Sequence, residues 1–385
     1  MPIQPMDKPA QILVVDDNPN NLRLLSQILG ERGHRLRAVT SGARALASAE
    51  IYPPDLILLD IRMPEMDGYE VCQKLKSSDK TQEVPVIFIS ALDEIQDKVK
   101  AFATGGVDYI TKPFQVEEVV ARVETHLAMR RLQKNLQEAN RRMEREMALA
   151  ARVQSSFMPK AIPRLPGWEI AVALAPAKTT SGDFYDVLRL PGERLGIVMA
   201  DVMDKGVGAA LFMAMSGTLL RTYTLEHPGE PERICHEVNQ RILEYTEAKQ
   251  FVTVFLGILD VQSGLLVYSN AGHNPPVLIS GASASPPRLL GRTGPALGIL
   301  EEARWQQASM QLAPGDVLVL YTDGITEAES DGGGTFELER LVETACGSVR
   351  QPAEAIRDAI LERVHRFTGG AALADDVALM VISQR

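Results

Sequence analysis

A chain of 385 residues exceeds the size at which a single hydrophobic core usually stops growing, so two domains are expected, each able to bury a core. Its 45% apolar and 23% charged residues are ordinary for globular domains, and the net charge of −10 opposes a broad phosphate-backbone footprint, which argues against nucleic acid. The three cysteines, Cys72, Cys235 and Cys346, lack CxxC spacing and fit reduced thiols rather than a disulfide framework. The N-terminus MPIQPMDKPAQ has neither a basic n-region nor an apolar h-region. The longest apolar stretch, Ala209 to Leu220, is too short and interrupted to span a bilayer, so a soluble, cytoplasmic protein is expected.

Residues 1–10 are expected to be a tail, and residues 11–125 a domain in which strand and helix signals alternate. QILVVDD is a short apolar run ending in two acids, and NPNNLRLLSQILGERG reads as a capped amphipathic helix. PPDLILLD, VPVIFIS and VDYI read as further buried strands. Such alternation implies an α/β fold with a doubly wound parallel sheet, whose functional residues collect at the carboxyl ends of the strands. Asp16, Asp17, Asp60, Ser90 and Lys112 all fall at such ends. Carboxylates gathered there repel unless a cation joins them, and all-oxygen ligands suit Mg2+. Lys112 adds a second positive charge. A carboxylate so placed can act as nucleophile toward phosphorus, with the ion and the ammonium offsetting charge on the equatorial oxygens and the Ser90 hydroxyl bonded to one of them.

On the paired acids Asp16 and Asp17, the LLDIRMPEMDG stretch around Asp60, Ser90 before Ala91, Tyr109, and the Lys112-Pro113 pair, residues 11–125 resemble a response-regulator receiver domain of two-component signalling. The resemblance implies a five-stranded fold and Mg2+ beside Asp16, Asp17 and Asp60. It implies Asp60 as the phosphoacceptor of a histidine kinase or a small phosphodonor, with Ser90 and Tyr109 reorienting in response. It also implies a cis peptide bond before Pro113.

From Glu117 to Phe157 the chain contains neither Gly nor Pro and is rich in helix formers, so one long helix is expected, its part from 126 to 157 serving as a linker. Leu132, Leu136, Ala139 and Met143 recur in alternating steps of four and three, the seam of a coiled coil. Two steps of four then adjoin at Met143, leading to Met147, a stutter, before the seam resumes at Ala150. A seam needs a partner, so a homodimer with facing seams is expected, the alternative being a monomeric spacer helix. Arg130, Arg131, Lys134, Arg141, Arg142 and Arg145 are spread around this helix and read as a solvated face.

Pro159, Pro163 and Pro166 close the helix and open a domain expected over 158–385, with no kinase domain after DDVALMVI. Strand signals dominate it: WEIAVALA, DFYDVLRL, RLGIVMAD, FVTVFLGILD, GLLVYSN, PVLIS, DVLVLYTD and DDVALMVIS. Helical patterns run from Val207 to Glu226, Glu232 to Thr246, Glu337 to Cys346 and Ala353 to Phe367. Two packed antiparallel sheets with helices outside, an α/β/β/α sandwich, are expected. Acids recur after the strands, in SGDFYD (Asp183, Asp186), ADVMDKG (Asp201), YTDG (Asp323) and DDVAL (Asp375, Asp376). With no histidine or cysteine beside them they point to hard cations, two Mg2+ or Mn2+, which would activate a water for direct attack on phosphorus.

SGDFYD, DVMDKGVGAALFMA, NAGHNPP, YTDGITEA and DDVALMVI resemble, in order, the metal-dependent PPM-type serine phosphatases of bacteria, in particular the sporulation stage II E branch of sigma-factor partner switching. The resemblance spans residues from about 155 to 385. It implies Asp201, Asp323, Asp375 and the Val202 carbonyl as metal ligands, with Asp183 bound to a metal or standing behind one that is. His273 in NAGHNPP reads as a turn-stabilising residue. The implied substrate is a phosphoserine on an anti-sigma-factor antagonist. One departure stands at Met203, Asp204, Lys205 and Gly206, where the family commonly has Ser-Gly-His-Gly, leaving Lys205, a water or nothing to protonate the leaving group, with slower turnover in the last case. No arginine adjoins SGDFYD to clamp phosphate, and Lys178 is the candidate there, with Lys205. The competing reading is a non-catalytic adaptor whose second domain binds a sigma-factor pathway partner. Degenerate members of that kind lose metal-site acids, and this chain keeps them.

Overall fold

The computed structural model describes residues 9–90, 95–246, 250–281, 286–330, 332–371 and 373–385. Most of the expected N-terminal tail, up to residue 8, and Ala91 lie outside them. The chain divides into two compact units, with the division between Arg142 and Met143.

In the first unit β1 (Gln11–Val15), β2 (Arg35–Val39), β3 (Leu56–Asp60), β4 (Val86–Ser90) and β5 (Asp108–Thr111) form a parallel sheet in the order β2-β1-β3-β4-β5. Helices α1 (Pro19–Gly30), α2 (Gly42–Ile51), α3 (Gly68–Lys76) and α4 (Ile95–Ala103) alternate with the strands, and α5 (Val116–Ser155) follows them and runs across the division into the second unit. Side chains alternate across each strand, which sorts the core into two layers. Ile12, Val14, Leu58 and Ile87 pack with Leu25, Leu29, Val119 and Val123 on one face, and Leu13, Val15, Leu59 and Phe88 with Ala49, Val71 and Leu75 on the other. With both faces covered, β3 and β4 are buried at every position, which is why LILLD and VIFIS read as unbroken apolar runs. Strand β2, RLRAV, was not among the expected strands. It is a sheet edge, where Arg37 can leave the sheet and donate to the Ser48 hydroxyl at 2.9 Å. Helix α1 starts where Asn18 accepts from the Asn20 amide and Pro19 takes the first turn, so the chain leaves the strand just after Asp16 and Asp17. Helix α5 begins as a packed element, with Val119, Val123 and Leu127 buried, and then runs on with Leu132 (70% exposed), Leu136, Met143, Leu149 and Val153 facing water.

The second unit holds β6 (Trp168–Ala175), β7 (Phe184–Leu190), β8 (Arg194–Val202), β9 (Val252–Asp260), β10 (Leu265–Ala271), β11 (Val277–Ile279), β12 (Arg288–Leu289), β13 (Ala308–Gln311), β14 (Val317–Tyr321) and β15 (Val377–Gln384). They build two antiparallel sheets, β13-β10-β9-β8-β7 and β12-β11-β14-β15-β6. The period of two again sorts the side chains. Ile197, Met199, Phe255, Leu318, Leu320, Met380 and Ile382 fill the space between the sheets. Val198, Ala200 and Leu256 pack under α6 (Val207–Glu226) and α7 (Pro231–Tyr245), through Phe212, Met213, Ile234 and Val238. Val319, Val377 and Leu379 pack under α9 (Glu337–Ser348) and α10 (Ala353–Phe367), while α8 (Asp323–Thr326) is a single turn. The result is the expected four-layer arrangement. The strands that pattern reading missed, β12 and β13, are short edge strands without an apolar run. Among the described residues no helix is long and apolar enough to cross a membrane, and the apolar stretch in α6 instead buries Phe212, Met213 and Leu220.

Candidate functional site

At the carboxyl ends of β1 and β3, Asp16, Asp17 and Asp60 bring carboxylate oxygens within 4.8 Å of one another. Asp16 and Asp60 are buried and Asp17 is exposed. Asp16 accepts from the Asn18 amide at 2.9 Å and from Asn21 Nδ2 at 3.0 Å, both supplied by the start of α1. Lys112, after β5, places Nζ 2.7 Å from Asp60 Oδ2 and 2.9 Å from Asp16 Oδ2. Burial pushes the Asp60 carboxyl up, the Lys112 bond opposes it, and the Asp16 charge adds to it. Burial works against the Lys112 ammonium, but its bonds to Asp60 and Asp16 hold it above its ordinary value. A dication among three oxygens relieves the repulsion that Lys112 only partly offsets, and an all-oxygen set suits Mg2+. Ser90 ends β4, buried, beside Thr111 of β5. Tyr109 is half-buried, edge-on to Phe102 at 6.3 Å. The Lys112-Pro113 peptide bond is cis. The glycine of MDG is explained by close approach, since a Cβ on Gly68 would lie 2.3 Å from the Asp60 carbonyl oxygen.

In the second unit an open cleft of about 600 Å³ is lined by Asp201, Val202, Asp204, Lys205, Arg292, Asp323, Asp375 and Asp376, among others. Asp201 continues the inward parity of Ile197 and Met199 on β8, so the strand that fills the sandwich also delivers a carboxylate at its end. Asp323 opens α8 after β14, and Asp375 precedes β15, the neighbour of β14. These two chain segments touch tightly: a Cβ on Gly324 would lie 1.9 Å from the Asp376 carbonyl oxygen, which accounts for the glycine of YTDG.

Asp183 does not line the cleft. It is buried, it feels the charge of Asp201, and its Oδ2 finds no hydrogen-bond partner among the described residues. Burial, then the Asp201 charge, push Asp183 well above the usual carboxylate range. Asp201, half-buried, is pushed up to about 6 by desolvation and by the Asp323 charge. Asp323 is raised by burial and by Asp375. An orphaned buried carboxylate oxygen and three raised acids are the signature of a site short of positive charge, and the oxygen-only donors fit Mg2+ or Mn2+.

Not every acid of the motifs turns to the cleft with a free carboxylate. Asp376 accepts from the backbone amides of Ala177 and Gly182, each at 2.7 Å, and so ties DDVAL to SGDFYD. Asp186 pairs with Arg221 through two bonds of 2.9 Å and fixes β7 to α6. Lys205 places Nζ 2.9 Å from Asp375 Oδ2 and donates to the Ala374 carbonyl at 2.8 Å. Asp204, at the family's glycine position, takes φ 78°, a left-handed conformation that aspartate tolerates better than most side chains. His273 is buried outside the cleft lining, bonded to Thr253 at 2.9 Å through Nδ1, and burial pushes its imidazole down to about 3, so it is neutral. Lys178 is exposed and does not line the cleft, so it is displaced as the phosphate-clamp candidate. The arginine that does line the cleft is Arg292, which arrives from the segment after β12. Its surroundings, LLGRTGPALG, hold only a weak turn signal.

Comparisons with known proteins agree with this geometry. The model of stage II sporulation protein E (SpoIIE) matches residues 191–385, and that of the response regulator receiver domain matches residues 12–124. Protein IcfG of Synechocystis is 30% identical over 398 residues, which covers 96% of this chain and 58% of IcfG. Phosphoserine phosphatase RsbU of Bacillus subtilis is 29% identical over 244 residues, 62% of this chain and 70% of RsbU. This chain therefore spans little more than half the length of IcfG. Among solved structures, the RsbU and RsbW domains of a Mycobacterium tuberculosis protein match with a TM-score of 0.53 at 28% identity, covering 60% of this chain and 63% of that one. The SiaA-PP2C domain of Pseudomonas aeruginosa shares the fold, with a TM-score of 0.58 at 19% identity over 64% of this chain and 99% of that one. The family match over the C-terminal half, together with the receiver match before it, shows that this chain belongs to the SpoIIE family of PPM-type phosphatase domains and carries that domain behind a response regulator receiver domain.

Proposed function

We propose that this chain is a response regulator in which phosphorylation of Asp60 controls a metal-dependent protein serine phosphatase acting on a phosphorylated anti-sigma-factor antagonist. The receiver would occupy 11–125, a linker that pairs with its copy in a homodimer 126–157, and the phosphatase domain 158–385. The observation that carries the enzymatic reading is the convergence of Asp201, Asp323 and Asp375, from three separate motifs, on one cleft with the orphaned carboxylate of Asp183 behind it. The substrate class rests on likeness to RsbU, a phosphoserine phosphatase, and the dimer on the exposed leucines of α5.

In the receiver, Asp60 would be the nucleophile toward a histidine kinase or a small phosphodonor, with Lys112 holding its carboxylate in place and Mg2+ held by Asp16, Asp17 and Asp60. In the second unit, Asp201, the Val202 carbonyl, Asp323 and Asp375 would hold two Mg2+ or Mn2+ ions, which supply an activated water when bound. Asp183 would help position Asp201 from beside it, and Asp376 keeps the loop of Gly182 in register with the cleft. Replacing Asp201 or Asp323 by Asn tests this: Mn2+-dependent hydrolysis of p-nitrophenyl phosphate should fall at least about a hundredfold, the scale of losing a principal electrostatic contribution. Undiminished turnover in both variants would sink the enzymatic reading.

A further inference from the structure

Two basic side chains stand among the acids of the cleft, and they are differently engaged. Lys205 is bound to Asp375. Arg292 is exposed in the cleft wall, makes no ion pair with any described residue, and forms one side-chain hydrogen bond, from Nε to the His273 carbonyl at 3.5 Å. Both of its terminal nitrogens are left without protein partners among the described residues. A long, flexible guanidinium would ordinarily swing onto a carboxylate, and here several line the same cleft.

Its backbone mount explains why it stays apart. On one side of Arg292, Leu290 donates to the Pro276 carbonyl at 2.9 Å and accepts from Asn270 Nδ2 at 3.2 Å. On the other side, Thr293 donates to the Asn270 carbonyl at 2.9 Å, and its hydroxyl accepts from the Asn270 amide, also at 2.9 Å. Asn270 is fully buried, and its Oδ1 accepts from the His273 amide at 2.9 Å. The NAGHNPP segment, which the proposed chemistry leaves without a part, thus clamps the chain on both sides of one arginine and tethers its side chain.

We propose that Arg292 is the substrate-phosphate-binding residue of this cleft, its planar fork donating two hydrogen bonds to oxygens of the phosphomonoester. A guanidinium matches a phosphoryl group with paired, charge-assisted bonds in a way an ammonium does not. The assignment rests on the phosphatase reading and adds to it the group that receives the phosphate.

The test uses the full chain, p-nitrophenyl phosphate with Mn2+, and inorganic phosphate as inhibitor. Arg292→Ala should raise KM and the inhibition constant of phosphate about ten- to hundredfold, the worth of charge-assisted bonds, while kcat moves far less because substrate and transition state lose them alike. Arg292→Lys should recover part of the loss. Mn2+ affinity by calorimetry should stay the same in both, which separates phosphate binding from metal loss. If the wild type hydrolyses the ester and Arg292→Ala leaves KM and phosphate inhibition unchanged, the assignment is wrong and Arg292 is only solvated. If the wild type shows no metal-dependent hydrolysis, the phosphatase reading fails and the assignment falls with it.

Discussion

Lys205 sits where a metal ion at Asp375 would have to enter. Of the two Asp375 oxygens, Oδ1 accepts from the Asp376 amide at 2.8 Å and Oδ2 is 2.9 Å from Lys205 Nζ. An ion using Oδ2 must displace the ammonium and then tolerate it nearby. Both side chains are more than a third exposed, 36% and 38%, so the pair itself is worth at most about 1 kcal/mol. Repulsion between the ammonium and a dication about 5 Å away in water-like dielectric adds roughly 1.5 kcal/mol. Lys205→Met keeps the apolar stem and removes both effects, so Mn2+ should bind about ten- to fiftyfold tighter. Isothermal calorimetry would read this in a chain also carrying Asp17→Asn, which silences the receiver's own ion site. Equal or weaker Mn2+ binding in Lys205→Met would refute the reasoning, and Lys205 would then have to be a favourable neighbour of the bound ion.

Asp60→Asn removes the receiver nucleophile with little change of shape, so labelling by acetyl phosphate with Mg2+ should vanish; a variant labelled like the wild type would mean that another side chain is the acceptor. His273 predicts a pH dependence. Burial holds its imidazole at about 3 against an ordinary 6.5, so the unfolded chain takes up the proton first, and stability is lost as pH falls from 6.5 toward 3. At pH 5 the loss from this group is about 2 kcal/mol, whereas the raised carboxyls of Asp183 and Asp201 pull the other way. Melting curves of wild type and His273→Gln share those carboxyls, so the variant should lose less stability between pH 7 and 5, and parallel curves would contradict the assignment.

What the sequence made legible follows from what local pattern encodes. Central strands such as LILLD and VLVLY announce themselves because burial on both faces demands unbroken apolar runs, whereas the edge strands RLRAV and ASMQ obey no such demand and were missed. Motif order exposed the acids, but not which member of a pair is tied up by distant backbone amides. Asp375 and Asp376 look alike in sequence, and only the amides of Ala177 and Gly182, nearly two hundred residues away, decide that Asp376 is a clamp. Arg292 was invisible for the same reason: its place depends on a buried asparagine in another strand, and no local spacing records such a bond.

The far end of α5 makes a contact that bears on how a signal would reach the cleft. Gln154 is 8% exposed although its neighbour Val153 is 54% exposed. Its Nε2 donates to the Ser181 carbonyl, and its Oε1 accepts from the Ser181 amide at 3.1 Å. Ser181 in turn donates from Oγ to the Asp183 carbonyl at 3.0 Å, and the next residue, Gly182, donates its amide to Asp376. One amide side chain therefore connects the helix to SGDFYD by a short run of bonds, and a turn of the helix about its axis would pull directly on the backbone beside Asp183. We predict that Gln154→Leu, which fills the space and removes both bonds at a cost of about 1–3 kcal/mol in stability, retains Asp60 labelling and metal-dependent hydrolysis. The change in hydrolysis rate on adding beryllium fluoride, a phosphoryl analogue at Asp60, should be lost. A Gln154→Leu chain that responds to beryllium fluoride as fully as the wild type would mean that the state of the receiver reaches the acids without passing through Ser181.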